Sequence, residues 1–242
     1  MNYELNQMFR FKQFTIQDSV CAMKVGTDGV ILGAWADMHS PVASPRILDI
    51  GTGSGLIAIM LAQRFADAHI DAIDIDADAI AQTKDNVSQS PFCNRIEAWQ
   101  TDLADMENEP RYDLIVSNPP FYQEHTSCPD NQRDAARHTT SLPFDTLLHK
   151  ASTLLRDGGT FCVIIPTSAV TELIGSSAIH SLYLSGRTDI HTTIRKPAKR
   201  TLLAFTHDHN VNTHFDKLYL RDADNNISAE YKALTNDFYL DM

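Results

Sequence analysis

The sequence predicts an α/β fold built on a mixed, mainly parallel sheet, and three observations carry that prediction. From Pro45 onward, short apolar runs alternate with longer amphipathic stretches, the pattern of strand–helix units that feed a parallel sheet with helices on both faces. A glycine-rich turn, Gly51-Thr52-Gly53-Ser54-Gly55, joins the first apolar run to the helix after it. Late in the chain, two β-branched runs at 188–194 and 201–207 are joined by a segment too short for a crossover helix. These two must be antiparallel neighbours, which makes the sheet mixed.

The elements follow in order. Residues 46–50 (RILDI) read as a first buried strand, and 56–65 (LIAIMLAQRF) as the helix that the glycine turn opens. A second strand spans 69–75, a helix 77–88, and a third strand 95–100, which leads to Asp102. The fourth strand, 112–117 (YDLIVS), runs straight into Asn118-Pro119-Pro120-Phe121. A helix over 142–155, a turn at Gly158-Gly159 and a fifth strand at 160–165 complete the parallel part. There is no internal repeat, low-complexity tract or linker. One domain spanning 1–242 is expected, with residues 1–40 an N-terminal extension packed on the core.

Composition narrows the class. With 242 residues, 43% hydrophobic and 21% charged, the chain has soluble globular composition and room for one substantial core. No apolar run approaches the roughly 20 residues that span a bilayer, and the N-terminus lacks signal-peptide zones. Cys21, Cys93, Cys128 and Cys162 form no CxxC pair, which argues against structural zinc and a disulfide framework and points to a reducing cytoplasm. A net charge of −11 sits poorly with a partner gripped by its phosphates. The charge is segregated, however: Arg195-Lys196-Pro197-Ala198-Lys199-Arg200 is a dense basic run, while acids crowd 67–85 and 216–241.

The glycine turn lacks the GxGxxG spacing of a dinucleotide site. Gly51, Gly53 and Gly55 let a ligand approach the backbone, and Asp49, two residues before them, would repel a phosphate. A carboxylate there suits a ligand with a cationic amino-acid end and a sulfonium, which favours S-adenosylmethionine over NAD. The second strand ends in Asp74-Ile75-Asp76, where an acid can accept from both ribose hydroxyls; Asp74 is the first choice and Asp76 its rival. Asp102 can accept from an adenine amine at the end of the third strand. Each aspartate also reads as an ordinary helix cap or turn residue. Their joint placement at strand ends on one sheet edge is what favours a site.

Asn118-Pro119-Pro120-Phe121 is the most informative tetrapeptide. Two prolines after a central strand fix the backbone in an extended form. The Asn118 amide oxygen and the Pro119 carbonyl are then aimed at one point above the strand end. An exocyclic amine on an aromatic base is a poor nucleophile because its lone pair is delocalised into the ring. Two acceptors on its hydrogens favour a pyramidal nitrogen and so stabilise the transition state more than the ground state. Phe121 offers a face on which a base can stack. No general base is required, since the nitrogen becomes acidic once it is methylated.

With these motifs in place, the chain resembles class I amino-methyltransferases carrying an [ND]PP[FYW] motif, and in particular the bacterial valine-tRNA N6-adenine methyltransferases. That resemblance extends to Phe11-Lys12-Gln13-Phe14, Met23-Lys24-Val25-Gly26-Thr27-Asp28-Gly29, Ala136-Arg137-His138 and Asp237-Phe238-Tyr239-Leu240. It implies a Rossmann-like sheet of seven strands with strand 7 antiparallel. It also implies a cofactor-proximal role for Lys24, Thr27 and Asp28, and a tRNA adenine just 3′ of the anticodon as substrate. The candidate RNA contacts are Phe11 and Lys12, Arg133 and Arg137, and Arg195, Lys196, Lys199 and Arg200. Core packing for Phe11 and solvated faces or a plain hairpin tip for the cations are the competing readings. His207, Asp208, His209 and His214 lack a ligand-fixing scaffold, so no metal is expected, and a monomer is the default. The rival functions are methylation of ribosomal RNA or DNA adenine, methylation of a protein glutamine amide, and a catalytically silent RNA-binding factor.

Overall fold

The computed structural model describes residues 8–21, 23–109, 111–120 and 142–240. A short antiparallel hairpin of β1 (Met8–Arg10) and β2 (Thr15–Gln17) comes first, followed by α1 (Thr27–Trp35). Then come β3 (Arg46–Ile50), α2 (Leu56–Arg64), β4 (His69–Asp74), α3 (Ala77–Ser88), β5 (Ile96–Gln100) and β6 (Tyr112–Ser117). The chain continues through α4 (Phe144–Leu154), β7 (Leu155–Pro166), α5 (Val170–Ser177), β8 (Tyr183–Thr193), β9 (Arg200–Thr206), β10 (His214–Arg221) and α6 (Ala229–Thr235).

Among the described residues, the main sheet has eight strands in the order β10-β8-β9-β7-β6-β3-β4-β5. Strands β3 to β7 pair in parallel, and β9 runs antiparallel to both β7 and β8, as the short 194–200 connection requires. The expected seven strands are therefore present with the seventh antiparallel. The count is corrected by an eighth, β10, which adds in parallel to the outer edge of β8. It escaped the sequence reading because it is an edge strand: Leu218 is its buried residue, and Phe215 is 67% exposed.

Central strands are apolar on both faces because both are covered. Ile47, Leu114, Val116, Cys162 and Ile164 point into one apolar cluster, with α1, α2, α3 and α6. Their neighbours Leu48, Ile115, Phe161, Val163 and Ile165 point into the other, with α4 and α5. The N-terminal segment belongs to the first cluster through Phe11, Phe14, Ile16, Val30, Ile31 and Leu32.

Register decides where the chemistry can sit. Ile50 on β3 pairs with Ile73 on β4 and Ser117 on β6, and Ser117 pairs with Val163 on β7. The residues immediately after that row are Gly51, Asp74 and Asn118. Parallel strands in register thus deliver the glycine turn, an acid and the Asn-Pro-Pro motif to one edge.

Candidate active site

That edge opens into a cleft of about 1160 Å³. Its lining includes residues 51–54 of the glycine turn, Asp74, Ile75 and Asp76 after β4, Asp102 to Ala104 after β5, and Ser117 to Pro120 after β6. Cys21 and 23–29 form the opposite wall, and Leu142, Pro143 and Thr146 close the end near α4.

The glycine turn is held from several sides. Gly51 and Thr52 both donate their N–H groups to the Ile73 carbonyl at 2.9 Å, and Gly53 N–H donates to Asp74 Oδ2 at 2.9 Å. Gly55 precedes α2 with φ +79°, and a Cβ there would lie 2.9 Å from Thr83 Cγ2, so only glycine fits. A Cβ on Gly51 or Gly53 would meet nothing within 4 Å, which leaves that side of the turn open. Beneath the turn, the Asp49 carboxylate accepts from Thr52 Oγ1 at 2.7 Å and from Ala58 N–H at 3.1 Å. Its other oxygen is buried with no hydrogen-bond partner, and burial pushes its pKa up to about 7.

Asp74 accepts from Gly53 N–H with one oxygen and from Asp76 N–H with the other at 3.0 Å, and burial raises its pKa. Asp76 caps α3 by accepting from Asp78 N–H, and Asp102 caps the 103–105 turn through Ala104 N–H, each at 2.9 Å. Both also line the cleft, so the capping and ligand-facing readings coexist. Among the described lining residues, Lys24 is the sole Lys or Arg against Asp28, Asp74, Asp76 and Asp102. Its ammonium is tied to the Asp18 and Ser19 carbonyls at 2.7 and 3.1 Å. Burial also pushes the Cys21 thiol up to about 11, so it stays protonated. A wall of this sign repels phosphates and suits a cationic ligand.

Asn118 is half-buried and Pro119 buried. Ser117 anchors the motif through Oγ, which donates to the Ile50 carbonyl at 3.0 Å. Asn118 lines the cleft, and its amide has no hydrogen-bond partner among the described residues.

The model of a family described as Methyltransferase small domain matches residues 35–178. A protein from Phocaeicola vulgatus named tRNA1(Val) (adenine(37)-N6)-methyltransferase is 46% identical over 237 residues, covering 98% of this chain and 99% of its own length. One of the same name from Klebsiella pneumoniae subsp. pneumoniae is 42% identical over 238 residues, covering 97% of this chain and 95% of its own. The chain belongs to the tRNA1(Val) (adenine(37)-N6)-methyltransferase family. Its fold is shared with a predicted O-methyltransferase from Agrobacterium tumefaciens, at TM-score 0.67 and 19% identity over 87% of this chain and 96% of that one. Geranyl diphosphate methyltransferase in complex with SAM matches at TM-score 0.54 and 13% identity, over 74% of this chain and 84% of that one.

As a member of the methyltransferase family, the chain gathers most of its candidate catalytic and cofactor residues into one cleft. Lys24, Thr27, Asp28, Gly51, Gly53, Asp74, Asp76, Asp102, Asn118, Pro119 and Pro120 all line it. Three expectations need correction. Asp49 is fully buried behind the glycine turn rather than on the wall, with one carboxylate oxygen taken by Thr52 and Ala58. Gly55 likewise packs on Thr83. Phe11 is buried and stacks on Phe14 with ring centroids 4.7 Å apart, so it is core and offers no face to RNA. Arg200 keeps a side chain 41% exposed while it pairs with Asp28, Nε to Oδ2 at 2.7 Å, which braces the first turn of α1.

Lys12 is exposed and donates to the Asn236 carbonyl at 2.5 Å. Arg195, Lys196 and Lys199 are exposed on the β8–β9 turn, which lies on the cleft edge because Arg200 pairs with Pro166 at the end of β7. Phe121, Arg133 and Arg137 lie outside the described residues. The sequence reading missed Ile75, 52% exposed between two acids at the cleft mouth, whose signal was a bare apolar residue at a strand end.

Proposed function

We propose that this methyltransferase moves a methyl group from S-adenosylmethionine to the N6 amine of an adenine in tRNA, the nucleotide being adenine-37 of a valine tRNA. The observation that carries the reading is the in-register delivery of Gly51, Asp74 and Asn118 to one acidic cleft. The curated relatives carry that activity in their name, and a fold relative, geranyl diphosphate methyltransferase, is known in complex with SAM.

The residues present fit S-adenosylmethionine. The open faces of Gly51 and Gly53 admit a ligand against the backbone, and the acidic wall suits its ammonium and sulfonium. Asp74 would take the ribose hydroxyls, with Asp76 beside it, and Asp102 the adenine amine. Lys24, Thr27 and Asp28 would close the wall over it. When bound, the sulfonium supplies an electrophilic methyl carbon. The chain's own part is to hold the nucleophile. Asn118 Oδ1 and the Pro119 carbonyl accept from the two amine hydrogens and turn the nitrogen lone pair toward the cleft. Burial of Pro119 and the Ser117–Ile50 bond fix the backbone that carries those acceptors before the base arrives.

Incubating the protein with methyl-labelled S-adenosylmethionine and total tRNA from a strain lacking its gene tests the reading. N6-methyladenosine in a valine tRNA, identified by mass spectrometry, is the expected product. Label appearing only in ribosomal RNA, DNA or protein would overturn the substrate assignment.

The exposed turn makes a separate prediction. Changing Arg195, Lys196 and Lys199 to alanine is expected to weaken tRNA binding about tenfold or more near 0.15 M salt. The slope of log affinity against log salt should fall by roughly one for each phosphate that is no longer neutralised. S-adenosylmethionine affinity stays unchanged. An unaltered slope would make the turn an ordinary hairpin tip.

A further inference from the structure

Helix α3 carries two buried side chains that reach the underside of the cleft. Asn86 is 2% exposed, and every hydrogen-bonding group of its carboxamide is used across a boundary between chain segments. Its Oδ1 accepts from Gln17 N–H at 3.0 Å, and its Nδ2 donates to the Gln17 carbonyl at 2.7 Å and the Ser54 carbonyl at 2.8 Å. The side chain acts toward Gln17 as a neighbouring strand would, while its second N–H grips the glycine turn. Two carbonyls on the nitrogen and one N–H on the oxygen leave a single orientation for the amide.

One turn earlier, Thr83 is fully buried. Its hydroxyl donates to the Gly53 carbonyl at 2.9 Å, and its methyl fills the space that forces glycine at position 55. Pulling the Gly53 carbonyl toward α3 points the Ser54 N–H the other way, because the peptide between them is planar and trans. Beyond Gln17, the chain runs through Asp18, whose carboxylate holds Val25 N–H at 2.7 Å, into the Lys24-to-Asp28 wall.

We propose that Asn86, with Thr83, is a positioning residue that ties the N-terminal wall of the cleft and the glycine turn into one mechanical unit, so that cofactor binding depends on both being held at a fixed spacing. The proposal rests on the cleft being the S-adenosylmethionine site, but its first readout does not. Neither residue lines the cleft. Their influence passes through Gln17, Gly53 and Ser54.

The test uses the full chain with Asn86→Asp, Thr83→Val and Thr83→Ser. In Asn86→Asp, an oxygen replaces the donor facing two carbonyls, leaving buried acceptors against one another. In the ligand-free protein, amide hydrogen exchange over 15–21, 23–26 and 51–55 is expected to speed up together, by about tenfold or more, while β6 and β7 keep their protection. The S-adenosylmethionine Kd rises about tenfold or more and kcat at saturation stays within about twofold. Thr83→Val reproduces this in smaller degree, and Thr83→Ser, which retains the hydroxyl, restores near wild-type behaviour. If Asn86→Asp does not fold, the Val–Ser pair decides, and equal behaviour of those two overturns the proposal. Exchange that rises across the whole chain in step with a lower Tm, or in one segment alone, overturns it as well. Wild-type protein that binds no S-adenosylmethionine would sink the reading of the cleft, and coupled exchange of the two segments would still carry the tie between them.

Discussion

Asn118→Ala is expected to lower kcat for methyl transfer by about 10²–10³-fold while the S-adenosylmethionine Kd stays within about twofold. An interaction made mainly in the transition state lowers kcat and kcat/KM together. The loss should be chemical rather than structural. The side chain is half-buried with no partner among the described residues, and the backbone is fixed by Ser117 and the prolines that follow. Asn118→Asp keeps an acceptor oxygen but adds a charge to a cleft that already holds Asp28, Asp74, Asp76 and Asp102, so an intermediate loss is expected. Single-turnover rates at saturating tRNA, with calorimetric cofactor binding beside them, separate the two effects. Retention of more than a third of the wild-type rate in Asn118→Ala would remove the residue from the chemistry.

What made this site legible is that parallel strands bring their C-terminal ends to one edge, so residues after successive apolar runs can be matched without knowing the packing. The runs at 46–50 and 112–117 coincide with β3 and β6 because both are buried on two faces and end in residues with special backbone demands. Helix α1 was less legible: TDGVILGAW has no polar stripe, since Gly29 to Ala34 are all buried. Its Gly33 sits where a Cβ would come within 2.9 Å of Met60 Sδ, a contact with α2 that no local pattern encodes.

The residues whose partners were not legible share that cause. Phe11 looked like a stacking surface beside Lys12, but it packs on Phe14 and lies 5.8 Å from the ring of Tyr239 at the far end of the chain. Arg200 looked like part of a uniform basic run, yet its partner Asp28 is 172 positions away. The tie through Asn86 spans 69 residues to Gln17 and was equally invisible. Local spacing identifies which groups reach the sheet edge. Long-range pairing decides which of them remain free to meet a ligand.

Asp49 carries the other large effect, on stability. Its ordinary pKa of 3.8 is pushed up to about 7, first by burial, with the nearby charge of Asp74 adding to it. Between those values the unfolded chain has released the proton that the folded chain keeps, so stability falls as pH rises from about 4 to about 7 and levels off above. A shift of about three pKa units corresponds to about 4 kcal/mol as an upper order of magnitude. Asp49→Asn keeps an acceptor for Thr52 and Ala58 without the buried charge. Its Tm is therefore expected to exceed that of the wild type at pH 8, by about 2–4 °C for each kcal/mol recovered, and to match it near pH 4. Cofactor affinity should move the opposite way, because an ionised carboxylate beneath the glycine turn attracts a cationic ligand and asparagine does not. Thermal melts from pH 4 to 8, with and without S-adenosylmethionine, read both signs at once. A wild-type pH slope that persists in Asp49→Asn would assign it to other groups, Asp74 first among them. A higher ligand-free Tm with a weaker cofactor-induced rise would mean that the charge costs the fold stability and strengthens binding, a conflict expected where a site is built on a buried acid.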